Sequence, residues 1–200
     1  MELIVKILSA TERIALLDWI IENNLTAKKA WPFLYDGDPI YTRKVIESYV
    51  HDDRCLVTAV FGDGRPVAVA MENAVSALPG GFFQLESWVK SMGSSLEKTY
   101  WSNWMIVDPE LRGVNLGAQI MTATIAELKS RGAELWVFDV LNRRLPDPRA
   151  PEGYRNDASY YEKHGFKRAM VPPVFSSWVD IGDDKPSKKF YFTYYMDLRQ

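Results

Sequence analysis

Between Trp104 and Leu128 the sequence passes from a short apolar run, through Asp108–Pro109–Glu110–Leu111–Arg112–Gly113–Val114–Asn115–Leu116–Gly117–Ala118, into a long amphipathic stretch. Trp104, Met105, Ile106 and Val107 read as a buried strand that must stop at Pro109, which has no N–H for a ladder and a fixed φ. Beyond the loop, Gly117, Ile120, Met121, Thr124, Ile125 and Leu128 recur at helical spacing. Arg131–Gly132 then supplies a basic last turn and a C-terminal cap. A strand thus turns through small residues into the start of a helix. Such a start has unpaired backbone N–H groups and partial positive charge. With no bulky side chains in the way, a pyrophosphate can lie against it.

Two families of glycine loop are excluded by their residues: there is no Gly-Lys-Ser/Thr ending and no Gly-x-Gly-x-x-Gly. The segment resembles instead the coenzyme A loop of the GNAT N-acetyltransferase family, Arg/Gln-x-x-Gly-x-Gly/Ala after a strand reading Leu-x-Val-x-Pro. Arg112, Leu116 and Gly117 fit it. Asn115 replaces the first glycine, and asparagine is the non-glycine residue best able to enter the left-handed region. About forty residues on, Asn156–Asp157–Ala158–Ser159–Tyr160–Tyr161–Glu162–Lys163–His164–Gly165–Phe166 resembles the family's second signature, a short helix ending in Tyr-Glu-Lys-x-Gly-Phe. A strand from Glu134 to Val140 separates the two. The resemblance covers roughly residues 100 to 170, and the first hundred residues by element order alone.

This resemblance implies an α/β (α+β) fold with a central mixed, mostly antiparallel, splayed sheet flanked by helices. It also implies acetyl-CoA as co-substrate, with no metal. The pantetheine arm would enter the splay between the strands ending at Val107 and near Val140, against Met105, Ile106 and Val107. Arg112, Gly113, Val114, Asn115, Leu116, Gly117 and Ala118 would face the pyrophosphate, and Asn142 or Asn156 would meet the pantetheine. Tyr161, preferred to its neighbour Tyr160, takes the family position of the general acid. A tyrosine at about 10 can protonate a thiolate at about 8.5 for only about 2 kcal/mol. The equally simple reading of Tyr161 is a packed ring with its hydroxyl bonded to backbone.

An alkylamine with a pKa near about 10 must lose a proton before it attacks a thioester. The motif strand contains no acid, so the candidate bases are Asp139, Glu86 and Glu72. Each is also readable as a surface carboxylate, and a water chain without a dedicated base would serve as well. Cys55, next to Leu56 and Val57, reads as a small core residue rather than an acyl acceptor.

At 200 residues, 47% hydrophobic and 25% charged, the chain is expected to form one domain over 1–200. A formal charge of −2 gives no reason to expect nucleic acid or an anionic membrane as partner. One cysteine and two histidines make a zinc site improbable. No run approaches the roughly 18 to 20 apolar residues of a membrane span, and the N-terminus is too short for a signal peptide, so a cytoplasmic protein is expected.

Along the chain, Leu3 to Leu8 is a strand, and Ser9 with Glu12 forms a capping box for a helix to about Asn23. A second helix is expected from about Tyr41 to Val50. Arg54 to Phe61 and Arg65 to Asn73 form a hairpin about Gly62–Asp63–Gly64. Pro79–Gly80–Gly81 breaks the chain before a short helix bearing Leu85 and Val89. Lys167 to Val171 and Phe190 to Leu198 read as closing strands, with a polar loop around Asp183–Lys189. The loop from Leu141 to Arg155 carries four arginines against Asp147 and Glu152; it is read either as an acceptor-side or 3′-phosphate contact through Arg143 and Arg144, or as a proline-stiffened surface loop.

Three functions follow: an N-acetyltransferase acting on a small-molecule or peptide amine in a ternary complex, a non-catalytic acyl-CoA-binding member of the fold, and an interaction module. The third would be a homodimer through the aromatic strand Phe190–Tyr195.

Overall fold

The computed structural model describes residues 2–78, 83–154 and 156–200; the expected break at Pro79–Gly80–Gly81 lies outside these. The elements in chain order are β1 (Leu3–Ile7), α1 (Ala10–Ala15), α2 (Leu17–Lys29), α3 (Pro39–Val50), β2 (Leu56–Gly62), β3 (Arg65–Ala74), α4 (Phe83–Ser91), β4 (Thr99–Val107), α5 (Leu116–Ser130), β5 (Leu135–Asn142), α6 (Ala158–Lys163), β6 (Lys167–Arg168), β7 (Val174–Trp178) and β8 (Ser187–Asp197).

The predicted local signals act as expected at the helix starts. Ser9 Oγ accepts from the Glu12 amide at 3.4 Å while the Glu12 carboxylate accepts from the Ser9 amide at 2.9 Å. Asp38 accepts from the Ile40 and Tyr41 amides, so α3 begins at Pro39 rather than Tyr41. The first predicted helix is divided: Leu16, at φ −91° and ψ 0°, separates α1 from α2, and α2 runs on to Lys29 instead of stopping near Asn23. Asp63 and Gly64 both have positive φ, the conformation a two-residue hairpin loop requires.

All eight strands join one sheet in the order β1-β2-β3-β4-β5-β8-β6, with β7 also paired to β8. Every pairing is antiparallel except β4 with β5. That parallel register extends only from Thr99–Leu135 to Trp101–Val137, after which the two strands part. The sheet is therefore splayed from Ser102 onward, as expected. β4 also carries a bulge: Met71 pairs with Trp104 and Glu72 with Ser102, leaving Asn103 as the extra residue.

One face of the sheet is covered by α2 and α3, whose Leu17, Ile20, Ile21, Ile46 and Val50 pack on Val57, Ala59, Val69 and Met71. The other is covered by α5: Leu116 and Ile120 meet Val60, Ala68 and Ala70, and Met121 and Leu128 meet Leu56 and Trp136. The Thr58 and Thr124 hydroxyls share a buried hydrogen bond of 2.7 Å across this layer. The closing region departs from expectation. The strand from Lys167 shrinks to two residues, an unforeseen strand β7 appears, and β8 begins at Ser187, within the expected loop. β8 pairs with β5 along one edge and, at Phe190–Tyr191 and Tyr194–Tyr195, with β7 and β6 along the other, so most of the aromatic strand read as a dimer edge is already paired within the sheet.

Candidate active site

Where β4 and β5 part, a cleft of about 200 Å³ opens through the sheet. Its walls are Ser102 to Ile106 of β4 and Trp136 with Phe138 to Leu141 of β5, closed at one end by Asn24, Ala27, Lys28 and Phe33 and at the other by Asp157 and Tyr161. A second cavity of about 460 Å³ lies at the start of α5, lined by Met105, Val107, Leu111, Arg112, Gly113, Asn115, Leu116, Gly117, Asp157, Tyr160 and Tyr161. Met105, Asp157 and Tyr161 line both, so the two spaces meet at the Tyr161 ring.

The loop that shapes the second cavity folds as its residues require. Asp108 accepts from the Glu110 amide at 3.0 Å and starts a single 3-10 turn over Pro109–Leu111. Gly113 has φ +88° and Asn115 φ +67°, ψ 20°, the left-handed conformation that glycine or asparagine supplies at least cost. Asn115 is the N-cap of α5 but its side chain makes no capping bond, which leaves the first-turn amides for another acceptor. Gly117 is small for a reason: a Cβ there would lie 2.6 Å from the Tyr160 hydroxyl and 3.6 Å from Met105 Sδ. An uncapped helix start facing an open cavity fits an anionic phosphate group.

Not every expected contact lies in these walls. Ile106 lies in the cleft wall and core, and Val114 is half exposed. Ala118, on α5, packs against the core between the helix and the sheet. Asn142 sits at the exposed end of β5 opposite Phe190, and Asn156 accepts from the Ala158 amide at 2.9 Å at the start of α6. None of the last four lines either cavity.

The three candidate carboxylates have distinct surroundings. Asp139 lines the cleft; the Thr193 hydroxyl donates to its Oδ1 at 2.7 Å, and burial raises its pKa against that bond. Glu72 is sealed in the core at 0% exposure, with Ser102 donating to Oε1 at 3.3 Å and no partner on Oε2. Desolvation pushes its pKa well above the usual range. Glu86 is ion-paired to Lys90 at 2.7 Å on α4 and is not part of the cleft wall. Tyr161 packs its ring 4.2 Å from that of Phe138, and burial, with smaller repulsions from Asp157, Tyr160 and Glu72, raises its hydroxyl above the ordinary tyrosine range. Cys55 is fully buried and its thiol is pushed up to about 12, the state of an inert core cysteine. Among the described residues no group of three or more His, Cys, Asp or Glu side chains could hold a metal ion.

The sequence matches the profile described as an Acetyltransferase (GNAT) domain over residues 65–168, more than half of the chain's 200 residues. The chain belongs to the GNAT acetyltransferase family. Several solved structures share the fold of this GNAT chain end to end. An N-acetyltransferase from Staphylococcus aureus Mu50 superposes with a TM-score of 0.61 at 13% identity, covering 99% of both chains. The ribosomal-protein-S18-alanine N-acetyltransferase from Escherichia coli gives 0.59 at 13% identity, over 98% of this chain and 94% of that one. An aminoglycoside 6'-N-acetyltransferase complexed with coenzyme A gives 0.58 at 15% identity, over 98% and 97%. No curated protein matches the sequence.

Within this GNAT fold the arginine-rich loop has a different task from the one expected of Arg143. Its guanidinium forms a two-pronged pair with Asp180, at 2.5 and 3.1 Å. It also donates to the Pro32 and Phe33 carbonyls at 2.6 and 2.7 Å, between the rings of Trp31 and Trp178. Lys189 and Arg149 join the same carboxylate at 3.0 and 3.5 Å. Arg143 is thus a buried anchor for the connector that carries Phe33 to the cleft, and is occupied rather than available to a phosphate. Arg144 is exposed and has no ion pair among the described residues. Asn24, Lys28 and Asn103, absent from the expected site, line the cleft; their signal in the sequence was no more than a polar position on a helix or a strand.

Proposed function

We propose that this chain, as one domain over residues 1–200, is an acetyl-CoA-dependent N-acetyltransferase that passes an acetyl group directly to a primary amine in a ternary complex. The observation that carries the reading is the meeting of the two cavities at Tyr161: one has the uncapped helix start suited to pyrophosphate, the other opens to the far face of the sheet. A thioester reaching through the splay and an amine from the far side would meet there.

Asp139 is the group proposed to take the amine's proton. Its burial-raised pKa brings it closer to that of an amine than an ordinary carboxylate would be. The amine nitrogen forms the new C–N bond, the C–S bond breaks, and the Tyr161 hydroxyl gives its proton to the departing sulfur. Burial makes Tyr161 a weaker acid, yet the same dry surroundings make a thiolate a stronger base, as the Cys55 thiol at about 12 illustrates. The two shifts run in the same direction.

Titration with acetyl-CoA by calorimetry, with ATP as control, followed by thiol release over a panel of amines, tests this. Tyr161→Phe is expected to bind acetyl-CoA like the parent while kcat falls by about 10²-fold. Absence of acetyl-CoA binding overturns the reading. Binding without thiol release on any amine would favour a non-catalytic acyl-CoA-binding protein.

A further inference from the structure

The acceptor end of the cleft contains a cation that forms no ion pair among the described residues. Lys28 lines the cleft and also the adjoining hollow between α2, α3 and β4. It forms no ion pair among the described residues, whereas the neighbouring Lys29 holds Asp36 at 2.9 Å. Burial alone lowers the Lys28 pKa, with no opposing charge to restore it. One helical turn earlier, Asn24 is 2% exposed and its Oδ1 has no donor, although it faces the same two spaces. A buried polar atom left unmatched costs on the order of 1–3 kcal/mol, so a donor from a ligand would relieve it. Trp104 and Phe33 supply apolar wall beside these two polar groups.

An acceptor that carried only an ammonium would enter this end against Lys28. One that carried a carboxylate beside its amine would pair that carboxylate with Lys28, offer an N–H to Asn24 and still turn the nitrogen toward Asp139. From this we infer that the acceptor is a free amino acid with a large apolar or aromatic side chain, its carboxylate held by Lys28. The inference rests on the acetyl-transfer reading above, and its test separates the two.

Acetyl-CoA binding is measured first. Thiol release is then compared for phenylalanine, tyrosine and tryptophan against phenethylamine, tyramine and tryptamine, and against phenylalanine amide, which keeps the shape without the charge. The expected result is a higher kcat/KM for the carboxylates, with Lys28→Met reducing the ratio of carboxylate to decarboxylated substrate by about tenfold or more and Lys28→Arg restoring it. Retained acetyl-CoA binding verifies that each variant is folded. If acetyl-CoA binds and the amines lacking a carboxylate are equal or better substrates, or the ratio ignores Lys28→Met, the amino-acid assignment fails and the transferase reading stands. If acetyl-CoA does not bind, both fall.

Discussion

Asp139 owes its chemistry to the alternation of a strand. On β5 its neighbours Phe138 and Val140 turn into the core under α5, which leaves the intervening carboxylate on the cleft wall, half-buried, with one hydroxyl donor. Its pKa is raised, so as the proposed base it would be protonated and idle at a pH where an ordinary carboxylate is ionised. The acid limb of kcat/KM should accordingly lie above the usual aspartate value of about 3.9, activity rising as pH increases through the elevated pKa. Asp139→Asn should remove that limb and reduce kcat by about 10²- to 10⁴-fold, measured as a pH–rate profile beside the parent. Residues of this kind were only partly legible. Tyr161 stood out because Glu162–Lys163 and Gly165–Phe166 frame it. Lys28 and Lys29 are indistinguishable as letters, and only the end of α2 decides that one faces the cleft and the other Asp36. Asn103 owes its position to a bulge that leaves no mark in the sequence.

Among the elements, the α5 start was the most legible, because its backbone demands and its residues agree. Asn115 is held at φ +67°, a region that costs an ordinary L-residue about 1–2 kcal/mol. Asn115→Ala should therefore weaken acetyl-CoA binding and lower stability by about 1 kcal/mol, while Asn115→Gly should preserve the loop; calorimetric titration and thermal melts of the two variants read both effects. β7 was invisible for the opposite reason. It follows Pro172–Pro173, four of its five residues are exposed, and it pairs only with β8, so neither alternation nor burial marks it. The split at Leu16 was missed because the apolar spacing continues across it and only the backbone changes.

At the scale of the molecule, one buried carboxylate joins the connector that carries Pro32 and Phe33, the arginine-rich loop and the β7–β8 hairpin. Asp180, 2% exposed, is pushed upward by burial, but hydrogen bonds from Arg143 and Lys189 hold its pKa below the usual range. The depressed value means that its contribution is present above the unfolded-state pKa near about 3.9 and is lost as pH falls through the folded-state value. Asp180→Asn, which leaves Arg143 and Lys189 buried beside a neutral group, should cost about 3–5 kcal/mol at neutral pH. Thermal melts should show that deficit shrinking toward the parent in acid, where the parent loses the same charge. The splayed architecture was legible as a whole, since the two ordered motifs flanking a strand carry the family resemblance that implies it. This charge cluster was not, because Arg143, Asp180 and Lys189 are far apart in sequence and meet only once the sheet is assembled.

The short parallel pairing of β4 and β5 has a mechanical meaning as well. Only three residue pairs join β4 to β5 within the sheet, and beyond them the two strands part around the cleft. A ligand lying there takes the place of a missing strand, and any molecule that binds the folded chain alone adds RT ln(1 + [L]/Kd) to its stability, about 2.7 kcal/mol at a hundred times Kd. A ligand bound in that space would touch both strands at once, so resistance to heat would become a gauge of how much of the protein is loaded.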